Sequence, residues 1–169
     1  AVKENKEVLD GEEAMGFVRN YGIQTLKKTT QTDDPAPGEH PVDEWALRSM
    51  RDTDFGTAIL FISMNDRNKY RTGFAVGLPP LNQVLARRLM DDAEFRPPSR
   101  SVTGDMSEFL VNFSNLVVDF PEIKEIEIEA VVMSDSRVYG KNATIEVDSN
   151  YQRGTTQYPH LAIMPYPSR

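Results

Sequence analysis

Residues 105–133 read DMSEFLVNFSNLVVDFPEIKEIEIEAVVM, and the period of the apolar positions changes once, at Pro121. Before it, Met106, Phe109, Leu110, Phe113, Leu116, Val117 and Phe120 recur at three- and four-residue steps. That spacing draws a broad apolar stripe along a helix, which must pack on a core. Proline has no amide hydrogen and a fixed φ, so the helix ends there. After it, IKEIEIEAVVM alternates strictly, with Ile126, Ile128 and Ala130 on one face and Glu125, Glu127 and Glu129 on the other. Ser134 and Asp135 supply turn chemistry, and residues 137–147 are predicted to return as the second strand of a hairpin.

Working upstream, TAILFIS (residues 57–63) is a near-continuous apolar run that predicts a buried strand. Trp45 and Leu47 alternate with Glu44, Ala46 and Arg48 in a neighbouring strand, the two hinged at DTDFG. Residues 74–78 form a third short strand. Pro79 is expected to open a helix whose Leu81, Val84, Leu85 and Leu89 share a face, with Arg87 and Arg88 near its end. Residues 95–103 read as a loop, so the long helix is expected to start at Asp105.

At the start, Asp10 is placed to cap a helix over residues 11–20, with Ala14, Phe17 and Val18 as its stripe and Gly22 as its stop. Residues 23–30 read as a strand that fades into QTDDPAPGEHP, a proline-rich linker at 31–41. This order predicts an α+β fold, a mixed sheet with helices mainly on one face. Three stretches are expected: an N-terminal helix, strand and linker over 1–43, a main lobe over 44–148, and a linker over 149–169.

The 169 residues are 39% hydrophobic and 27% charged, a soluble balance, and no apolar run approaches the roughly 20 residues of a membrane span. No signal-peptide core opens the chain and no cysteine is present, so the cytoplasm is the expected compartment. A net charge of −7 repels polyphosphate backbones, which argues against nucleic acid as a partner. The oligomeric state is not legible in the sequence.

Several segments in one order resemble the ATP-grasp part of ADP-forming acyl-CoA synthetases. They are YGI (21–23), RDTDFGTAILF (51–61), LPPLNQVLARRL (78–89) and FSNLVVDFPEIKEIEIEAV (113–131). HLAIMPYPSR (160–169) is similar to the short strand that leads into the acetyltransferase domain of fused bacterial protein-lysine acetyltransferases. The resemblance implies the carboxy-terminal lobe of the ATP-grasp fold, whose carboxylate and amide oxygens face Mg²⁺ and ATP or ADP. It also implies neighbouring CoA-binding and acetyltransferase domains in a longer chain, with acyl-CoA bound by that longer protein.

In the family a strand reads Asp-Ile-Asn-Pro-Leu and a later Asp lies on its hairpin partner. The matching positions here are Glu127, Ile128, Glu129, Ala130 and Val131, with Asn142 at the later Asp. The acid and the amide have exchanged places. Glu129 and Asn142 are therefore the candidate metal ligands, with Glu127 beside them toward nucleotide. The alternative is that Glu125, Glu127 and Glu129 form only the solvated face of a half-buried strand.

Two further departures point to an incomplete nucleotide site. ISMNDRNKYRT replaces a glycine-rich turn, and a proline-rich linker stands where a lysine-bearing lobe is expected. Lys27 and Lys28 read as solubilising charges, and His40 and His160 as surface residues without metal partners. Ser63, Ser114 and Ser134 lack a His and Asp arrangement, so no catalytic nucleophile is assigned. The leading expectation is a degenerate module with a structural or regulatory role. The alternatives are the active half of a ligase, and a stand-alone acidic interaction domain using the loop at 65–72, with Arg67, Lys69, Tyr70 and Arg71.

Overall fold

A computed structural model describes residues 7–26, 41–52, 56–64, 73–133 and 137–151. Its strands are β1 (Val8–Asp10), β2 (Pro41–Asp52), β3 (Gly56–Ser63), β4 (Phe74–Gly77), β5 (Ile123–Met133) and β6 (Val138–Val147). Its helices are α1 (Gly11–Arg19), α2 (Gln83–Asp92) and α3 (Arg100–Asp119). The strands join in one sheet, ordered β1-β6-β5-β2-β3-β4, and every pairing between named strands is antiparallel. The sheet is thus antiparallel rather than mixed, and the one parallel pairing, Thr25 with Gly140, is an isolated bridge outside the named strands. The α+β class is as the element order predicts.

All three helices lie against the same face. α1 rests on β6, α3 on β6 and β2, and α2 on β4 and α3. The strictly alternating strand behaves as its pattern requires: Ile126, Ile128 and Ala130 are buried under the helices. Leu47 pairs with both Ile128 and Phe61, so β5, β2 and β3 place their apolar positions on one level of the core. Trp45 stacks on Phe61 at 4.4 Å between ring centroids, and Phe95 meets Trp45 edge-on at 5.1 Å. The Trp45 indole also donates to Asp43, which satisfies its one polar atom as burial demands. Gly73, at φ +114°, closes in here: a Cβ would stand 3.0 Å from the Ala93 carbonyl oxygen and 3.2 Å from the Trp45 ring.

The structure departs from the sequence reading at several boundaries. α3 begins at Arg100, not Asp105, because Ser99 caps it by accepting from the Val102 amide. α2 begins after Asn82, whose side chain accepts from the Val84 and Leu85 amides, so Pro79 lies outside the helix. Its buried face is Ala86, Leu89 and Met90. Val84, 74% exposed, lies outside that face, and Leu85, one turn before Leu89, lies at its margin, 41% exposed. Arg87 and Arg88 sit in mid-helix and no basic residue occupies the last turn, which removes the expected dipole contact.

Asp10 holds the N-cap position of α1 without a side-chain cap bond, and it also ends β1, a strand too short to show a period. Residues 23–26 form only the Thr25 bridge rather than a strand, and β2 starts earlier than expected, at Pro41. The linker at 31–40, the loop at 65–72, Lys27, Lys28, His40, Ser134, His160 and the 152–169 segment lie outside the described residues. Among the described residues no helix is long and apolar enough to cross a membrane.

Candidate functional site

The face of the sheet turned away from the helices is built by the alternate residues of each strand. On its β5–β6 half, Glu125 pairs with Glu146, Glu127 with Thr144 and Glu129 with Asn142. Directly opposed residues of adjacent strands project to the same side, so Glu127, Glu129 and Asn142 share the open face. The β2–β4 half of that face carries Met50, Leu60, Ile62, Phe74 and Val76, and Arg48 stands between the halves.

Two bulges shape the acidic half. The register slips between Ile123 and Glu125, leaving Lys124 as an extra residue, and again between Glu129 and Ala130, where Lys141 is the extra residue on β6. Each bulge delivers a lysine to a carboxylate of the open face. Lys124 binds Glu146, and that hydrogen bond and charge hold its ammonium above the ordinary lysine range. Lys141 reaches across β5 to Glu44 at 3.2 Å. Arg48 serves two more carboxylates, pairing with Glu125 and lying 3.9 Å from Glu127.

The chain's own cations thus engage Glu44, Glu125, Glu127 and Glu146. Glu129 and Asn142 are different: among the described residues neither side chain has a hydrogen-bond or ion-pair partner. Glu127 was expected to face nucleotide; it shares the face but is turned to account by Arg48. The sequence reading missed Arg48, Lys124 and Lys141 as neutralising groups. Alternation through Glu44, Ala46 and Arg48 signals the side on which Arg48 lies. The lysines owe their places to the bulges, which leave no periodic trace.

Among the described residues no three His, Cys, Asp or Glu side chains gather where they could hold a metal ion. Glu129 and Asn142, the candidate ligands from the sequence, would offer magnesium two oxygens from opposed positions of β5 and β6. This is within the ion's habits, since it often takes one or two protein ligands and completes its shell with water and substrate phosphates. A hollow of about 270 Å³ opens on the same face, lined by Val8, Glu125, Glu127, Thr144 and Glu146 but not by Glu129 or Asn142. A larger hollow, of about 740 Å³, lies away from this chemistry, beside α1. Arg19 within it is already bound to Glu12 and Thr25, so we place the candidate site on the open sheet face. Of the serines weighed as nucleophiles, Ser114 is fully buried and accepts from the Leu81 amide at 2.8 Å, a structural role.

The fold has close likenesses among solved structures. The dinucleotide forming acetyl-coenzyme A synthetase 1 of Ca. Korarchaeum cryptofilum, in complex with coenzyme A, Ca-AMPCP and HgCl+, superposes with a TM-score of 0.68. That match has 14% identity and covers 86% of this chain and 96% of that one. The same synthetase with coenzyme A and Mg-AMPPCP gives 0.68 at 14% identity, over 86% and 95% of the two chains. PH1788 from Pyrococcus horikoshii Ot3 gives 0.71 at 14% identity, over 86% and 94%. At such identity the likeness shows the fold. The sequence match is more specific: residues 36–147 fit the ATP-grasp domain family. With most of its length inside that match, and with the sheet and helices of the acetyl-CoA synthetase structures around it, this chain belongs to the ATP-grasp family.

Proposed function

We propose that this ATP-grasp lobe binds magnesium and nucleotide weakly, has no synthetase turnover of its own, and acts as a structural or nucleotide- and acyl-CoA-responsive part of a protein acetyltransferase. The observation that carries this reading is the solitary pair Glu129 and Asn142. Every other glutamate on β2, β5 and β6 of the open face is engaged by a lysine or arginine of the chain. When bound, Mg²⁺ would be held by Glu129 and Asn142 and would neutralise phosphate oxygens.

Arg48 and Lys141 relieve part of the repulsion that the glutamates would exert on phosphate, yet both are committed to carboxylates. A triphosphate needs several cationic or amide donors aimed at it, and among the described residues the open face's Arg48, Lys124 and Lys141 are all committed to carboxylates. The acetyltransferase part of the reading rests on the resemblance of residues 160–169, and the acyl-CoA part on relatives solved with coenzyme A.

Calorimetry of the chain with Mg²⁺ and ATP or ADP, repeated with acetyl-CoA, tests the proposal. The expected dissociation constant for ATP is roughly millimolar or weaker, near −4 kcal/mol. A micromolar affinity that disappears in Glu129→Ala would instead favour the active half of an ADP-forming ligase. That second reading is favoured by one observation, the placement of the acid and the amide directly opposite each other on one face. The gene sequence beyond Arg169 tests the acetyltransferase part, and a following domain of another kind would remove it.

A further inference from the structure

The two edges of the sheet differ in chemistry. At one edge, β1 is three residues long and carries Asp10, with Glu7 next to it. Two copies of that edge would repel. At the other edge, residues 73–81 read GFAVGLPPL without a single charge. Phe74, Val76 and Leu78 are 53%, 54% and 60% exposed, and among the described residues no strand pairs with the outer side of β4. Soluble proteins usually block such an edge with a lysine, a proline or a bulge inside the strand. FAVG has none of these.

The helix layer ends at the same edge in the same way. α2 lies under β4, with Leu89 closing on Gly77. Its other flank is turned to α3, where Ser107 donates to Gln83. Leu85 precedes Leu89 by one turn and so lies on the β4 flank, and it is 41% exposed. Val84 beside it is 74% exposed.

We propose that this edge is a self-association surface: a second copy of the chain pairs its β4 antiparallel with this β4 across a two-fold axis, and the two α2 helices meet beneath. A lone peptide strand would satisfy the backbone edge but leave Leu85 and Val84 uncovered. A second copy presents apolar chemistry in both layers at once, as an isologous contact requires. Charge favours the same occupant. Two chains of net charge −7 repel, and the uncharged β4 edge lets them approach with least cost. In such a pair Phe74 and Val76 gain cross-strand neighbours on the open face, while Leu85 and Val84 meet their counterparts on the helix side.

Sedimentation equilibrium of the 169-residue chain over roughly 1–200 µM tests this, a range that spans the expected micromolar dissociation constant. Val76→Lys and Leu85→Glu are each expected to raise that constant at least ~10-fold while leaving the circular dichroism spectrum unchanged. Should Val76→Lys fail to fold, Leu85→Glu, on the exposed flank of α2, decides alone. A monomer throughout the range, or a dimer that tolerates either folded variant, overturns the proposal.

Discussion

Glu129 on β5 stands directly across from Asn142 on β6, immediately beside the bulge that Lys141 makes. The bulge matters because it frees Lys141 to bind Glu44 instead of the acid nearest to it in register. Glu129 is left as the unengaged carboxylate of the pair.

Restoring the acid and amide to the order the family uses should improve a metal site. The longer glutamate sets its oxygens one methylene further from the strand, and Mg²⁺ is intolerant of such shifts. In the double variant Glu129→Asn, Asn142→Asp, the affinity for Mg²⁺ with ATP is expected to rise at least ~10-fold, about 1.4 kcal/mol. Titration calorimetry of the variant beside the parent chain measures it, and equal affinities would show that these positions do not ligate the ion.

Ser114 offers a clean stability test. Its fully buried hydroxyl accepts from the Leu81 amide at 2.8 Å, just before α2 begins. Ser114→Ala leaves that buried donor without its partner, which costs about 1–3 kcal/mol. Urea denaturation reads the loss. A cost below about 0.5 kcal/mol would mean that the amide finds another acceptor, since surface-like substitutions stay within that margin.

Arg51 ties three parts of the chain together. Its side chain is 17% exposed and donates to the Pro121 carbonyl at the α3–β5 turn, with the Ile123 carbonyl and Asp148 each at 3.5 Å. Its guanidinium also lies 5.4 Å from the centre of the Tyr151 ring. Arg51→Met keeps the apolar stem and removes every donor, so a loss of about 2–3 kcal/mol is expected. Arg51→Lys should recover only part of it, because an ammonium cannot fork between carbonyls and a carboxylate. Denaturation midpoints of both variants distinguish this hub from a surface charge, for which the two would behave alike.

The alternation of IKEIEIEAVVM was legible because a half-buried strand has one solution for each residue: the isoleucines are covered and the glutamates are not. The stripe from Met106 to Val117 was legible for the same reason at helical period. Those two segments with the TAILFIS run give the α+β class. What failed lay where a single side chain overrules the period. Ser99 and Asn82 each set a helix start by one capping bond. The spacing puts Val84 and Leu85 on one helix face with Leu81 and Leu89, although the former two are exposed, at 74% and 41%. The candidate site was half legible. Residue matching gave Glu129 and Asn142, while the cations that silence their neighbours depend on two bulges and on pairing across three strands.

Tyr21 gives the chain a predictable alkaline response. Its hydroxyl donates to Asp119 at 3.0 Å, joining the segment after α1 to the end of α3, and its ring meets Phe17 and Phe120. Desolvation first, then the hydrogen bond to Asp119 and the charge of Asp119, hold the hydroxyl above its ordinary value of 10.0. The sign follows from which form each state prefers. The folded chain keeps the proton to higher pH than the unfolded one, so the contribution is fully present below the unfolded value and is lost as pH rises through the folded one. Between those limits the folded state binds more protons, and stability therefore falls with pH. The hydrogen bond is exposed to solvent, so the effect is modest, within about 1 kcal/mol. Tyr21→Phe keeps the ring contacts and removes the proton, so it should cost that amount at pH 7 and flatten this limb above pH 10. Urea midpoints of both chains from neutral to alkaline pH measure it, and parallel declines would show that Tyr21 does not carry the alkaline loss.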